Sequence, residues 1–229
     1  MSLISPIGLE AIETVPLHEL VYKRLTHALM SGQIEPGRKL TSRKLAAELG
    51  TSDMPVRAAL LRLQALKVLT PLPTNGTLTL PPMTRERFLD LMKTRQVCEG
   101  AATEMAAQHL TRAQIRALKL AGAGLTQAAR DQDIARYLLC NYEFKFTVYR
   151  MCGSESLLFL IETLWLQVGP FLRQFAGKFG GDLSGILTLD HHPAVIDALE
   201  RRDGPAAAAA MRADIADGAH FLNEHAEFF

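Results

Sequence analysis

Between Leu17 and Leu80 the hydrophobic period changes once, and that change limits the possible folds more than any other feature of the chain. Leu17, Leu20, Val21, Leu25, Ala28 and Leu29 recur at the three- and four-residue spacing of one helix face. Gly32 stops that helix, and Glu35-Pro36-Gly37 reads as a turn. Thr41 is placed to cap a second helix that faces inward with Leu45, Ala46 and Leu49 and ends at Gly50. Ser52 is placed to cap a third, with Pro55 tolerated in its first turn and a buried stripe of Val56, Ala59, Leu60, Leu63 and Leu66. The period then shortens. Val68-Leu69-Thr70 and Thr77-Leu78-Thr79-Leu80 read as strands, and Asn75-Gly76 between them accepts the positive φ of a hairpin tip. Pro81-Pro82 breaks regular structure, so the domain boundary falls there, with one domain over 1–80 and another over 81–229. Residues 1–15 show no period and read as a loose arm.

Everything beyond Pro82 reads helical. One long helix runs from Thr84 to about His109, and Thr111 with Gln114 makes a capping box for the next. Asp133 and Ser154 each open another. A fifth spans Ser184 to Arg202, and Gly204-Pro205 opens the last. The expected fold class is mainly α: three short helices with a small β-hairpin wing, then an all-helical bundle of about six helices. At 229 residues the chain is long enough for two separate cores.

Composition narrows the function classes. The net charge is only +1, but residues 1–80 hold nine Lys and Arg against six Asp and Glu, while the remainder holds sixteen against eighteen. A basic front half suits a nucleic-acid reader. Cys98, Cys140 and Cys152 are odd in number and form no CxxC pair, which points away from disulfide or zinc scaffolds and toward a reducing, cytoplasmic compartment. No signal peptide is evident, and no uninterrupted apolar run approaches the roughly 18 residues of a membrane span. His191-His192 beside Asp190 imitates a catalytic cluster, yet no nucleophile elbow, phosphate loop or HExxH motif accompanies it, so the expectation is not an enzyme.

Three helices and a two-strand wing make a winged helix-turn-helix. Its third helix is slim enough to enter the major groove of double-stranded operator DNA. Arg57 lies opposite Val56 and Leu60, where it can reach a guanine edge or a phosphate. Ser52 and the free amides at the helix start can hold a phosphate. Arg43 and Lys44 are placed for backbone contacts, and Asn75-Gly76 lets the wing tip approach closely. The bland alternative is an interaction module whose charges are merely solvated.

The stretches Leu29 to Leu40, Leu45-Ala-Ala-Glu-Leu-Gly-Thr-Ser52 and Pro55-Val-Arg-Ala-Ala-Leu60 resemble the DNA-binding domain of the GntR family. The resemblance implies that Arg43, Ser52, Arg57 and Gly76 occupy DNA-contact positions. It also exposes a departure. Asp53 stands where the family usually has Arg, and Met54 departs in the same loop. An acid cannot pair with phosphate or with guanine acceptors, though it can accept from a cytosine amine.

The second domain resembles the effector domain of the FadR branch, known as FCD. Arg95 with Glu99, Asn141-Tyr-Glu-Phe-Lys145, His192-Pro-Ala-Val-Ile-Asp-Ala198 and Asp203-Gly-Pro-Ala-Ala207 carry the likeness. It implies a metal site built from an Asp and a His one turn apart and a His on each of two later helices. Here those positions hold Asn141, Lys145, His192 and Asp214. A protonated Lys has no lone pair and repels a cation, so the expectation is that no metal binds. Lys145 would then pair with Asp214, with Asn141 and His192 adding hydrogen bonds. Arg95, read from spacing alone, pairs with Glu99 on the helix surface. The resemblance implies instead that it lines the effector pocket, which together with Lys145 favours a small carboxylate effector. Tyr142 and Tyr149 read as core, His191 and His220 as surface or cap residues. A homodimer presenting two recognition helices to a pseudo-palindromic operator, mostly as a repressor, completes the expectation.

Overall fold

The computed structural model describes residues 15–34, 37–73, 76–178, 190–225 and 228. The expected N-terminal arm, save Val15, lies outside these, as do Glu35 and Pro36 of the first turn, Asn75 of the wing tip and the expected start of the fifth helix at Ser184.

Three helices form the front domain: α1 (Leu17–Met30), α2 (Ser42–Leu49) and α3 (Asp53–Ala65). Their stripes of Val21, Leu25, Leu29, Leu45, Ala46, Val56, Leu60 and Leu63 are all buried and meet in one core. The Thr41 hydroxyl accepts the Lys44 amide at 3.4 Å and so caps α2 as expected. Ser52 stands at the start of α3, but its side chain makes no capping hydrogen bond. Asp53 and Met54, expected in a loop, belong to the first turn of α3.

The wing is shorter than its sequence pattern. β1 (Thr70–Pro71) and β2 (Leu78–Thr79) pair antiparallel, with Thr70 opposite Thr79 and Pro71 opposite Leu78. Pro71 does not interrupt the hairpin, because the Leu72 amide beyond it still donates to the Thr77 oxygen at 2.9 Å. Leu78 bonds outward as well, exchanging both backbone hydrogen bonds with Leu40 at 2.8 and 2.9 Å and tying the wing to the approach to α2. At the tip, Gly76 has φ +71° and open space around it, so the backbone conformation and not crowding requires glycine.

Six helices are described in the second domain: α4 (Arg85–Ala106), α5 (Arg112–Arg130), α6 (Ile134–Tyr149), α7 (Glu155–Lys178), α8 (His192–Glu200) and α9 (Gly204–His225). Thr84, the reciprocal Thr111–Gln114 box, Asp133 and Ser154 cap α4, α5, α6 and α7 in turn. α4 packs along α9 and against α7, and α5 lies against α6 and α8. Within α7, Glu155–Arg173 is long and apolar enough, by length and composition, to cross a bilayer, a candidate the uninterrupted-run reading passed over. Here it is a core helix that buries Ile161, Trp165, Leu166, Val168 and Phe171.

α7 also joins the domains. α1 packs against it, and His27 meets the Tyr142 ring edge-on at 5.1 Å. The contact depends on Gly169, because a Cβ there would stand 2.8 Å from the Leu29 oxygen and from the Met30 Cα and oxygen. Those neighbours are backbone, and only a missing side chain lets the two helices come so close. Gly169→Ala is therefore expected to force α1 off α7, at a cost of about 1–3 kcal/mol. Urea titration reads the effect, and a midpoint equal to wild type would mean that α1 yields without resistance.

Candidate functional site

Two places bring chemistry-bearing side chains together. The first is the outer face of α3. A groove of about 620 Å³ opens between α2, α3 and the wing, lined by Arg43, Asp53, Arg57, Leu61, Gln64 and Gly76 among others. Positions 53, 57, 61 and 64 follow helical spacing, so one face of α3 forms the wall. Arg43, Lys44, Ser52, Asp53 and Arg57 are all exposed. Among the described residues, the charged groups of Arg43, Lys44, Asp53 and Arg57 have no ion-pair partner, whereas Arg38 is spent on Glu48 and Arg62 on Glu19. Cations without an ion-pair partner among the described residues, exposed beside a helix start and a wing, are the chemistry that a phosphate backbone attracts.

The second place is inside the helical bundle. Glu99 on α4 is fully buried and receives four donors. Arg95 supplies Nε at 2.6 Å and Nη2 at 3.3 Å, Trp165 supplies Nε1 at 3.0 Å, and the Tyr149 hydroxyl donates through a short bond. The Arg95 guanidinium also stacks over Trp165 at 4.6 Å and points Nη1 at the Met92 sulfur at 3.3 Å. Arg95 thus has the partner that helical spacing indicates, but the pair is buried, with Arg95 only 3% exposed, and is not on the surface.

Beyond Tyr149 the Met211 sulfur leads to a second pair. The Lys145 ammonium lies 3.2 Å from that sulfur and 2.5 Å from Asp214 Oδ2, as the sequence led us to expect. The additional hydrogen bonds expected from Asn141 and His192 are not made to this pair among the described residues. His192 Nδ1 is instead held by Asp190, whose carboxylate also accepts the His192 amide at 2.9 Å. Among the described residues His192 Nε2 is buried without a hydrogen-bond partner, and it lies 4.0 Å from Asp214 Oδ1. Asn141 is half-buried on the Lys145 face of α6.

Burial alone would raise the Asp214 carboxyl, but Lys145 and then His192 outweigh it and hold it below the ordinary carboxylate range. Burial opposes Asp190 in the same way, and the His192 hydrogen bond brings it down. Tyr149 is pushed well up, first by burial and then by Glu99. Tyr137, one turn before Asn141 on α6, is pushed up by burial and by the charges of Asp214 and Asp190. It borders the same cluster, and its i, i+4, i+8 spacing with Asn141 and Lys145 was the available sequence signal. Tyr142 is core as expected, His191 pairs with Asp217 at 2.7 Å, and His220 is exposed.

A winged helix with unspent cations on its reading face, joined to a helical bundle holding a buried polar cluster, defines a ligand-responsive DNA-binding regulator. The models of two families match the chain: the gntR family of bacterial regulatory proteins over residues 17–78 and the FCD domain over residues 90–217. The chain belongs to the GntR family and carries an FCD effector domain. It is 30% identical over 166 residues to the HTH-type transcriptional regulator McbR of Escherichia coli K12, covering 72% of this chain and 75% of that protein. The solved structure of E. coli McbR superposes with a TM-score of 0.83 at 25% identity, covering 92% of this chain and 99% of that one. A GntR regulator structure from Rhodococcus sp. RHA1 shares the fold, with a TM-score of 0.69 at 18% identity over 92% of this chain and 99% of that one. The chain is a regulator and not an enzyme.

The metal implied by the FCD likeness does not fit this donor set. Among the described residues no group of three His, Cys, Asp or Glu side chains is placed to hold a metal ion, and an ammonium stands against Asp214, the carboxylate nearest His192 Nε2.

Three outcomes follow from this geometry. Glu99→Ala leaves the Arg95 charge buried without its carboxylate, and a loss of about 3–5 kcal/mol is expected in denaturant titration. Because Asp214 and Asp190 titrate below their unfolded values, the stability they contribute is complete above about pH 4 and disappears as pH falls through the depressed folded values. Melting curves between pH 6 and pH 3 should show that acid limb, flattened in Asp214→Asn. Arg57→Ala is expected to weaken operator binding by about 1–3 kcal/mol, measured at fixed salt.

Proposed function

We propose that the chain is a homodimeric, cytoplasmic transcriptional repressor whose hold on operator DNA is set by a small carboxylate bound in the helical domain without a metal. One observation carries the effector chemistry: two buried cations each spend a hydrogen bond on sulfur, Arg95 on Met92 and Lys145 on Met211. A thioether is a weak acceptor, and a carboxylate is a far better one. An acid entering beside Met211 gains charge-assisted bonds in place of these weak ones. The Lys145 ammonium supplies the positive charge, so no divalent ion is needed.

Val97, Phe159 and Leu160, apolar side chains on α4 and α7, stay exposed on the single chain, which favours a second copy as their cover. Two copies present two α3 helices to two half-sites. Repression requires only occupancy of the operator. By linkage, the effector alters DNA affinity by the same factor with which DNA alters effector affinity.

A thermal-shift screen of the purified chain against small organic acids, with and without divalent metals, tests the proposal. The expected result is a metal-independent shift by a carboxylate, absent in Lys145→Met, together with a changed gel-shift affinity for DNA. One tightly bound zinc, nickel or manganese per chain would refute the metal-free reading.

A further inference from the structure

The first turn of α3 carries two side chains that DNA binding in general does not explain. Asp53 is an exposed acid on a surface that meets phosphates, and it has no cationic partner among the described residues. Met54 beside it is 81% exposed, a long apolar chain held in water. The Ser52 hydroxyl is not spent on capping the helix that follows it. Asp53 and Arg57 are one helical turn apart and line the same groove, so whatever Arg57 reads, Asp53 meets an adjoining part of it.

We propose that Asp53 and Met54 determine operator sequence: Asp53 accepts a hydrogen bond from the N4 amine of a cytosine, and Met54 packs on the C5-methyl of a neighbouring thymine. This inference rests on the DNA-binding reading of the α3 face. In the major groove guanine shows a carboxylate two acceptors, which repel it. Adenine offers one donor, but its N7 acceptor lies beside it and opposes the second carboxylate oxygen. Cytosine presents an amine flanked by an acceptor on one side only, the O6 of its paired guanine, with a C5–H on the other, whereas the adenine amine lies between two acceptors; an ionised acid therefore suits cytosine best. The N-terminal residues of a recognition helix reach base edges first, where Asp53 and Met54 are. A methionine there makes no hydrogen bond, and the one apolar feature on a base edge in that groove is the thymine methyl.

The test begins with selection of bound sequences from a random duplex library by the full-length protein, followed by affinity measurements at one salt concentration on the recovered site. Wild type is expected to recover a cytosine in each half-site, next to a thymine. Replacing that cytosine by 2-pyrimidinone, which lacks only the amine, should cost roughly 5- to 100-fold. Asp53→Ala should lose this sensitivity. Asp53→Asn should shift the preference toward adenine, since an amide pairs with both N6 and N7. Replacing the thymine by deoxyuridine removes one methyl and should cost about fourfold in wild type, but nothing in Met54→Ala. Asp53 is exposed, so these variants should fold, and their melting temperatures check that. If Asp53→Ala and Asp53→Asn recover the wild-type sequence, the acid serves only the positive end of the helix and the proposal is overturned. Failure of wild type to enrich any sequence would instead remove the DNA-binding reading on which it rests.

Discussion

The buried carboxylate of Glu99 fixes the effector domain. Left alone, an ionised acid at that depth would cost several kcal/mol of desolvation. Its donors come from three helices: Arg95 from its own α4, Tyr149 from the end of α6 and Trp165 from the middle of α7. All three must hold their register for the charge to be satisfied, and a one-turn slip of α6 or α7 would strand it. Such an arrangement contributes less to net stability than to uniqueness, because apolar side chains of similar volume could fill the space but would tolerate sliding. The Met211 sulfur, near both the Tyr149 hydroxyl and the Lys145 ammonium, adds α9 to the same constraint.

From that constraint the route to the DNA-binding domain is short. Trp165 and Gly169 are one turn apart on α7. The first donates to Glu99, and the second receives the backbone of α1 at Leu29 and Met30. α1 in turn shares its core with α3. A ligand that draws Arg95 or Lys145 from its present partner changes what Glu99 and Asp214 must bond. Under the function proposed above, the response expected at Glu99 is a shift of α7, which donates to it through Trp165 and on which α1 rests. Stiff, packed elements transmit such a shift because dense packing leaves no slack to absorb it. This contiguity is physical: the Gly169 contact joins the helix that serves the Glu99 cluster to the helix that shares its core with α3.

Local chemistry made much of the fold legible in advance. Thr41, Thr111 and Asp133 cap helices because their side chains accept an orphan amide two or three residues on, a rule that needs no tertiary knowledge. Strand length was not legible, because the pairing of Thr70 with Thr79 and of Pro71 with Leu78 is a matter of register, which is set only once the hairpin has formed. Arg95 and Glu99 show the limit most clearly. Their spacing names the partner, but α7 and α9 cover that face of α4, and no periodicity within α4 reveals it. Trp165 and Tyr149 escaped notice as site residues because their bodies are apolar and read as core, which they also are. The missing clue was that a buried indole N–H or phenol must find an acceptor. Asp190 caught attention as a false catalytic neighbour of His192, whereas its observed part is to hold Nδ1 and aim Nε2 at Asp214.

The near-neutral charge of the whole chain can now be understood. Net charge counts every ionised group equally, but a group already matched inside the protein exerts little field outside it. Arg95 is matched by Glu99, Lys145 by Asp214, and on the surface Arg38 by Glu48 and Arg62 by Glu19. Among the described residues Arg43, Lys44 and Arg57 are not matched, and Arg43 and Arg57 line one groove with Asp53. A polyanion meets those unspent charges, not the sum over the sequence. The same distinction sets Asp53 apart. Among the described residues it is the one unmatched acid lining that groove, and what it meets there decides whether it serves the helix start or the DNA.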